Sequence, residues 1–247
     1  MAQYEIVPLV TANIEVEKSK MTYMANYGIT LNLPTIAFYI KGAKQNILVD
    51  TAASAAQMAV YESNQKGRDV QSFEAALETQ GLKPEDIDIV IHTHLHHDHI
   101  GNTGKCKNAK VILQEAELRF ALAAHPLFDA VYPIELIRDM RFNPVVGDTE
   151  IAPGIRVIFT PGHSPGTQSV AVETAQGTAI ITGFCCIRET FEVPAETAKL
   201  APKWLVYTPG CHADALAAFD NTLKIKGMAD ILIPNHEPTL QDIKTIP

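Results

Sequence analysis

His94-Leu95-His96-His97-Asp98-His99 follows directly on Ile87-Asp88-Ile89-Val90-Ile91, a run that reads as a buried β-strand. Strand ends are rigid, and side chains placed just past one can be held to the tolerances a metal demands. Two His at i and i+2 of an extended segment reach one ion together. Asp98 and His99, around the bend, point to a second position beside it. Imidazole nitrogen and carboxylate oxygen suit a borderline cation such as zinc, with bonds of about 2.0–2.2 Å. The bland reading is a polar loop or tag-like tract that is rich in His by chance. Five of the nine His fall between positions 92 and 99, behind a strand, which weighs against chance.

Outward from the motif, the chain has 247 residues, 47% of them hydrophobic, enough for one large domain or two intimately packed halves. The reading adopted is one domain over 1–247. Charged residues make up 19%, which disfavours disorder, and the net charge of −8 with scattered Lys and Arg disfavours a nucleic-acid surface. No secretion signal is visible in Met1-Ala2-Gln3-Tyr4-Glu5-Ile6-Val7-Pro8, and no apolar run approaches a membrane span. Cys106, Cys185, Cys186 and Cys211 include an adjacent pair, for which a mutual disulfide is awkward. A reduced, cytoplasmic protein is expected, without membrane or nucleic-acid partners. An apolar face near the N-terminal segment would fit a homodimer.

Thr35–Ile40 and Asn46–Val49 read as a hairpin, and Ser54–Tyr61 and Gln71–Gln80 as helices. Val111–Leu113 is an expected strand and Glu115–Ala124 an expected helix; 125–148 read as irregular, a lid or an insertion. The second half repeats the rhythm. A strand Arg156–Thr160 ends in Pro161-Gly162-His163-Ser164-Pro165-Gly166, then come a hairpin (Ser169–Glu173, Thr178–Thr182), a helix Ala213–Lys226 and a last strand Ile231–Ile233 before Pro234-Asn235-His236. Two α/β halves with sheets face to face and helices outside are expected. His163 and His236 therefore also follow strands directly, so separate strand ends each offer a His.

In these segments, together with Val49-Asp50-Thr51 and Thr182-Gly183-Phe184-Cys185, the chain resembles the metallo-β-lactamase fold superfamily. The resemblance runs from residue 35 to residue 238 and implies a four-layer αβ/βα sandwich with a metal centre at one edge of the sheets. Carried over residue by residue, it implies His94, His96 and His163 as ligands of one metal and Asp98, His99 and His236 as ligands of a second. It also implies that Asp50 accepts a hydrogen bond from a ligand imidazole, although Asp50 could equally cap the helix near Ser54. One position departs from the pattern. Most hydrolases of the superfamily place a metal-bridging Asp after the Gly that corresponds to Gly183, where this chain has Phe184, then Cys185 and Cys186. Cys185 could supply a thiolate, the second site could be weak, or both Cys could be plain buried thiols. The first reading is favoured, and strand alternation lets only one of the two face the metal. His92 reads as a packed strand residue, His97 as a residue that supports the ligands from behind or is solvent-exposed, and His125 and His212 as loop residues.

Two divalent ions, zinc first and iron or manganese as alternatives, would lower the pKa of a bound water to about 7 and present hydroxide. No Gly-x-Ser-x-Gly elbow offers a serine nucleophile. The expected reaction is opening of a small cyclic ester or amide by metal hydroxide, with Asp98 as a catalytic group that holds the attacking water or moves a proton. Length, acidity and Tyr207-Thr208-Pro209-Gly210 make the chain similar to the acyl-homoserine-lactone lactonase branch. That branch normally carries the bridging Asp and a Tyr three residues later, where this chain has Phe184 and Ile187. The alternatives are a mono-iron oxidoreductase like the persulfide dioxygenases and a non-catalytic, metabolite-binding member of the fold. Met21–Tyr27 and Phe120–Tyr132 carry aromatic and Met side chains that could line an apolar pocket, though ordinary core is the commoner fate of such residues.

Overall fold

The computed structural model describes residues 3–62 and 66–247; Met1 and Ala2, within the segment read as carrying no secretion signal, lie outside the described residues. One sheet contains β1 (Glu5–Glu17), β2 (Thr30–Lys41), β3 (Ile47–Val49), β4 (Gly67–Asp69), β5 (Ile89–Ile91), β6 (Lys110–Gln114) and β7 (Phe142–Val145), in the order β4-β1-β2-β3-β5-β6-β7. The other contains β8 (Thr149–Ala152), β9 (Ile155–Phe159), β10 (Gln168–Thr174), β11 (Gly177–Ile181) and β12 (Ile231–Ile233), in the order β12-β11-β10-β9-β8. The helices are α1 (Ala55–Tyr61), α2 (Phe73–Glu78), α3 (His97–Ile100), α4 (Glu115–Ala121), α5 (Ile134–Ile137), α6 (Arg188–Phe191), α7 (Ala195–Leu200) and α8 (Ala215–Met228).

Period-two alternation sorts the strand residues between layers. Ile47 and Val49 of β3, Ile89 and Ile91 of β5, and Ala179 and Ile181 of β11 meet in the apolar layer between the sheets. Leu48 and Val90 turn the other way, onto Phe73 and Leu77 of α2. Ile180 turns outward onto Phe191 of α6 and Ile225 of α8. Helix, sheet, sheet and helix thus form the four layers expected. Each such side chain, fully buried, contributes about 1.5–3 kcal/mol.

Several expectations need correction. The 13-residue strand β1 was not foreseen; it pairs along β2 from Glu5↔Lys41 to Glu17↔Thr30. The stretch 125–148, expected to be irregular, holds α5 and β7, and β7 adds in parallel to β6. Pro144 is tolerated there because β7 is the edge strand. The cap of α1 is Ser54, whose hydroxyl accepts from the Gln57 backbone N–H, so Asp50 is not a helix cap. Among the described residues no helix is long and apolar enough to cross a membrane.

Candidate metal centre

Strand direction brings the ligand candidates together. In the first sheet β3 and β5 run parallel, so Asp50 and the His92–His99 segment leave on the same edge. In the second sheet β9 and β11 are both antiparallel to β10, and β12 is parallel to β11. The segments after β9, β11 and β12 therefore also share one edge, and these are Pro161–Gly166, Thr182–Cys186 and Pro234–His236. Ligand sites of α/β sheets form at such carboxyl ends. Within the motif the backbone changes character at His96, which is extended and caps the short helix α3. His94 and His96 lie before this change, Asp98 and His99 after it, and so they face different positions.

The first group is His94, His96 and His163, all buried. Hydrogen bonds fix where two of the rings carry their protons. The Thr93 hydroxyl donates to Asp50 Oδ2 at 2.8 Å, so it accepts from His94 Nδ1–H at 3.1 Å. His163 Nδ1–H donates to the Cys211 carbonyl at 2.6 Å. In neutral rings the other nitrogen of each is a lone pair, yet His94 Nε2 and His163 Nε2 face each other at 3.1 Å, and His96 Nδ1 lies 3.2 Å from His163 Nε2. Facing lone pairs repel unless a cation lies between them. Two nitrogens about 2.0–2.1 Å from one tetrahedral zinc stand about 3.3–3.4 Å apart, close to the spacing seen. Burial, reinforced by the neighbouring imidazoles, pushes His94 and His96 well below the ordinary histidine range and keeps them neutral. The residues present therefore fit a metal ion.

Beside it lie Asp98 and His99, which with His94 form a second cluster of metal-competent atoms. His99 Nδ1–H donates to Asp50 Oδ2 at 2.7 Å, which turns Nε2 toward Asp98 Oδ2 at 3.2 Å without a hydrogen bond of proper geometry. His236 donates from Nδ1 to the Pro34 carbonyl at 3.4 Å, and its Nε2 stands 3.7 Å from the same Asp98 oxygen. Burial lowers His236 to about 4 despite Asp98 beside it. Burial opposes the Asp98 charge, but His99 outweighs it and holds Asp98 well below the carboxylate range. His99 itself is also penalised by burial, but Asp98 and Asp50 raise it well above its ordinary value.

Asp50 organises both groups from behind. It is fully buried and accepts from the Thr93 N–H (2.8 Å), the Thr93 hydroxyl (2.8 Å), His99 Nδ1 (2.7 Å), His92 Nδ1 (3.3 Å) and Asn235 Nδ2 (3.2 Å). Burial alone would raise its pKa, but the His99 and His92 imidazoles outweigh that and keep it ionised. Its backbone sits at φ 56°, a left-handed conformation that costs a non-glycine residue energy, as is common where geometry serves a site.

The turn after β11 supplies no carboxylate. Phe184 points away from the ligand cluster into the layer beneath α8, where its ring lies 6.1 Å from Phe191. Cys186 packs on that same side, with its sulfur 2.9 Å from the Thr182 hydroxyl. At Gly183 a Cβ would stand 1.9 Å from the Gln168 carbonyl oxygen, so no larger residue fits this backbone. Cys185 faces the cluster, with Sγ 3.7 Å from His163 Nε2. A zinc ion bound by one thiolate and one imidazole holds sulfur and nitrogen about 3.6 Å apart at the tetrahedral angle, so this donor also fits.

A cavity of about 280 Å³ opens onto both groups, lined by His96, Asp98, His163, Cys185 and His236 and walled by apolar side chains that include Met21, Leu33, Met58 and Phe128. Met21 and Phe128 come from the two aromatic and Met segments singled out in the sequence, whereas Met24 and Tyr27 are exposed. His97 is buried rather than exposed, stacked on Tyr61 with Nδ1 3.2 Å from Met58 Sδ. His92 is the packed residue expected, bound to Asp50 and, at 2.8 Å, to the Thr103 hydroxyl. His212 lines the cavity wall, although no motif marks it. The Cys211 carbonyl also escaped the sequence reading, because a backbone acceptor 48 residues from its partner leaves no side-chain signature.

Residues 32–183 match the model of the metallo-beta-lactamase superfamily. The N-acyl homoserine lactonase of Bacillus cereus is 30% identical over 178 residues, 67% of this chain and 68% of that protein. Metallo-beta-lactamase domain-containing protein 1 of Mus musculus is 31% identical over 195 residues, 77% of this chain and 58% of that protein. Among solved structures, a quorum-quenching N-acyl homoserine lactone lactonase superposes with a TM-score of 0.76 at 25% identity, covering 96% of this chain and 94% of that one. The Bacillus thuringiensis enzyme AiiA, in a variant with N-decanoyl-L-homoserine at its active site, shares the fold with a TM-score of 0.78 at 24% identity, over 98% and 96% of the two chains. This chain belongs to the metallo-beta-lactamase superfamily, as a lactonase-like member of its metallo-hydrolases.

Proposed function

We propose that this protein opens a small cyclic ester of the N-acyl homoserine lactone type, using two divalent metal ions, zinc before iron or manganese. His94, His96 and His163 would hold the first, with Cys185 as the adjoining thiolate donor; Asp98, His99 and His236 would hold the second. The observation that carries the reading is the pair of imidazole nitrogens, His94 Nε2 and His163 Nε2, facing each other at 3.1 Å, with His163 and His96 lining the cavity beside them. When bound, such ions supply an activated water at neutral pH and polarise the carbonyl under attack.

The chain's own residues do the rest. Asp98 keeps a carboxylate at the junction of His99 and His236, placed to orient water and to take up its proton. Met21, Leu33, Met58 and Phe128 exclude water and offer a seat for an acyl chain. Similarity to proteins named as N-acyl homoserine lactonases supports the substrate class. The presence of Asp98, His99 and His236 as a further donor group favours this reading over a single-iron oxidoreductase, which has no task for them.

The test is turnover by zinc-loaded protein of a panel of acyl homoserine lactones, other lactones, thioesters and lactams, with chelated protein as the control. The expected product is the ring-opened acid carrying one added water. Turnover of thioesters or lactams without lactones would refute the substrate class, and no metal-dependent turnover of any panel member would refute the hydrolase reading.

A further inference from the structure

Glu117, on α4, belongs to no ligand set, yet its carboxylate is fully buried behind the first ligand group. Oε1 accepts from the Leu95 N–H at 3.0 Å and the Tyr132 hydroxyl at 2.9 Å, and Oε2 accepts from the Ser164 hydroxyl at 2.5 Å and the Gly166 N–H at 3.1 Å. Four donors saturate an ionised carboxylate, which has about four acceptor positions.

The identity of those donors is what matters. Leu95 lies between His94 and His96, Ser164 follows His163, and Tyr132 packs edge-on to the His96 ring at 4.8 Å. One carboxylate therefore clamps the two loops that carry all three imidazoles of the first group, one loop leaving each sheet. Gln168 also ties the two segments, donating from its backbone N–H to the Thr93 carbonyl at 2.9 Å and from Nε2 to the His92 carbonyl at 2.8 Å, but those bonds lie at the loop bases, whereas Glu117 holds the loops beside the ligands themselves. The seat is tight: a Cβ at Gly166 would lie 2.1 Å from the Glu117 backbone nitrogen, and one at Gly162 would lie 2.4 Å from that of Ala218 on α8. The glycines of Pro161–Gly166 thus let the His163 loop lie flat against both helices, while Glu117 locks it to the motif after β5.

We infer that Glu117 is a positioning residue for the first metal: it fixes the distance between the His94–His96 loop and the His163 loop without touching the ion. The inference rests on the metal reading given above. Charge-assisted hydrogen bonds to buried groups are strong and directional, and removal of a group that orients metal ligands lowers metal affinity by about 10- to 100-fold.

The experiment is a cobalt(II) titration of chelator-stripped full-length protein, read by the visible absorption of bound cobalt, alongside thermal melting of the metal-free form. Glu117→Gln keeps the size but turns an amide nitrogen toward two of the four donors. Ser164→Ala removes one donor and leaves the carboxylate in place. Glu117→Gln is expected to weaken the first cobalt by about 10- to 100-fold and to alter its absorption spectrum, with a smaller change of the same kind in Ser164→Ala. A merely structural role would lower melting temperature and leave the spectrum of bound cobalt as in the parent. Parental affinity and spectrum in Glu117→Gln, or in Ser164→Ala if the former does not fold, would overturn the inference. A parent chain that binds no cobalt would overturn the metal reading, and this inference with it.

Discussion

Replacing Asp50 by Asn removes one charge and leaves size and backbone nearly untouched. Asn is among the residues that accept the left-handed φ of 56° found there, so the substitution isolates the carboxylate's electrostatic role from strain. Oδ1 takes two donors and Oδ2 takes three. Whichever way the amide lies, its NH2 meets at least two N–H or O–H groups that it cannot accept from. Each buried donor left unsatisfied costs about 1–3 kcal/mol. A total of about 3 kcal/mol lowers the melting temperature of a chain this size by roughly 6–12 °C. The second effect falls on His99. Without a carboxylate on its Nδ1–H, the ring loses the charge-assisted bond that turns Nε2 toward Asp98, and metal affinity should fall by about 10- to 100-fold. Calorimetry of the metal-free variant reads the first effect and zinc titration against a chromophoric chelator reads the second. Metal-free melting within roughly 2 °C of the parent, together with parental zinc affinity, would refute the role given to Asp50.

Cys185→Ala should lower zinc content or affinity by elemental analysis, whereas Cys186→Ala, whose sulfur lies on the far side beside Thr182, should leave both unchanged. Equal retention in the two variants would remove Cys185 from the site. Phe184→Asp should not restore a bridging carboxylate, because the side chain enters the apolar layer with Phe191 and Ile225; it should destabilise the fold by about 3–5 kcal/mol without raising metal content, as measured by denaturant unfolding and elemental analysis. For the metal-free protein, His94, His96 and His236 have folded pKa values below the ordinary 6.5, so the unfolded chain binds more protons in acid. Their contribution is complete above about 6.5 and is lost as the pH falls toward His236's value of about 4. His99, raised, works in the opposite sense, but it is one imidazole against three. Melting temperature of chelated protein should therefore fall from pH 7 to pH 5, and a flat or rising profile would contradict this burial-driven ordering.

The gathering of His94, His96, Asp98 and His99 in one cluster was readable because these side chains stand at fixed spacing behind an apolar run. His163 and His236 were readable for the same reason, each lying just past a strand. What was not readable rests on long-range contacts. β1 is buried on both faces along most of its length, carries Pro8 and is interrupted by a bulge between Val10 and Ala12, so no alternation marked it. β4 is three exposed residues with no apolar pattern at all. Phe184 could be seen as a missing ligand, but its direction could not, because that depends on Gly183 lying against Gln168 and on α8 roofing the layer below. Glu117 belongs to no sequence motif, since its partners lie 15 to 49 residues away.

The assembly of the first ligand group from two sheets has a consequence for the energetics of the whole chain. His94 and His163 are separated by 69 residues, and each leaves a different sheet. An ion held between them would act as a removable cross-link that closes this loop, and by the entropy model used for disulfides a loop of that length would restrict the unfolded chain by about 4 kcal/mol. The ion would then serve as a clasp between the two halves of the sandwich as well as a reagent. Folding stability would track free metal concentration logarithmically.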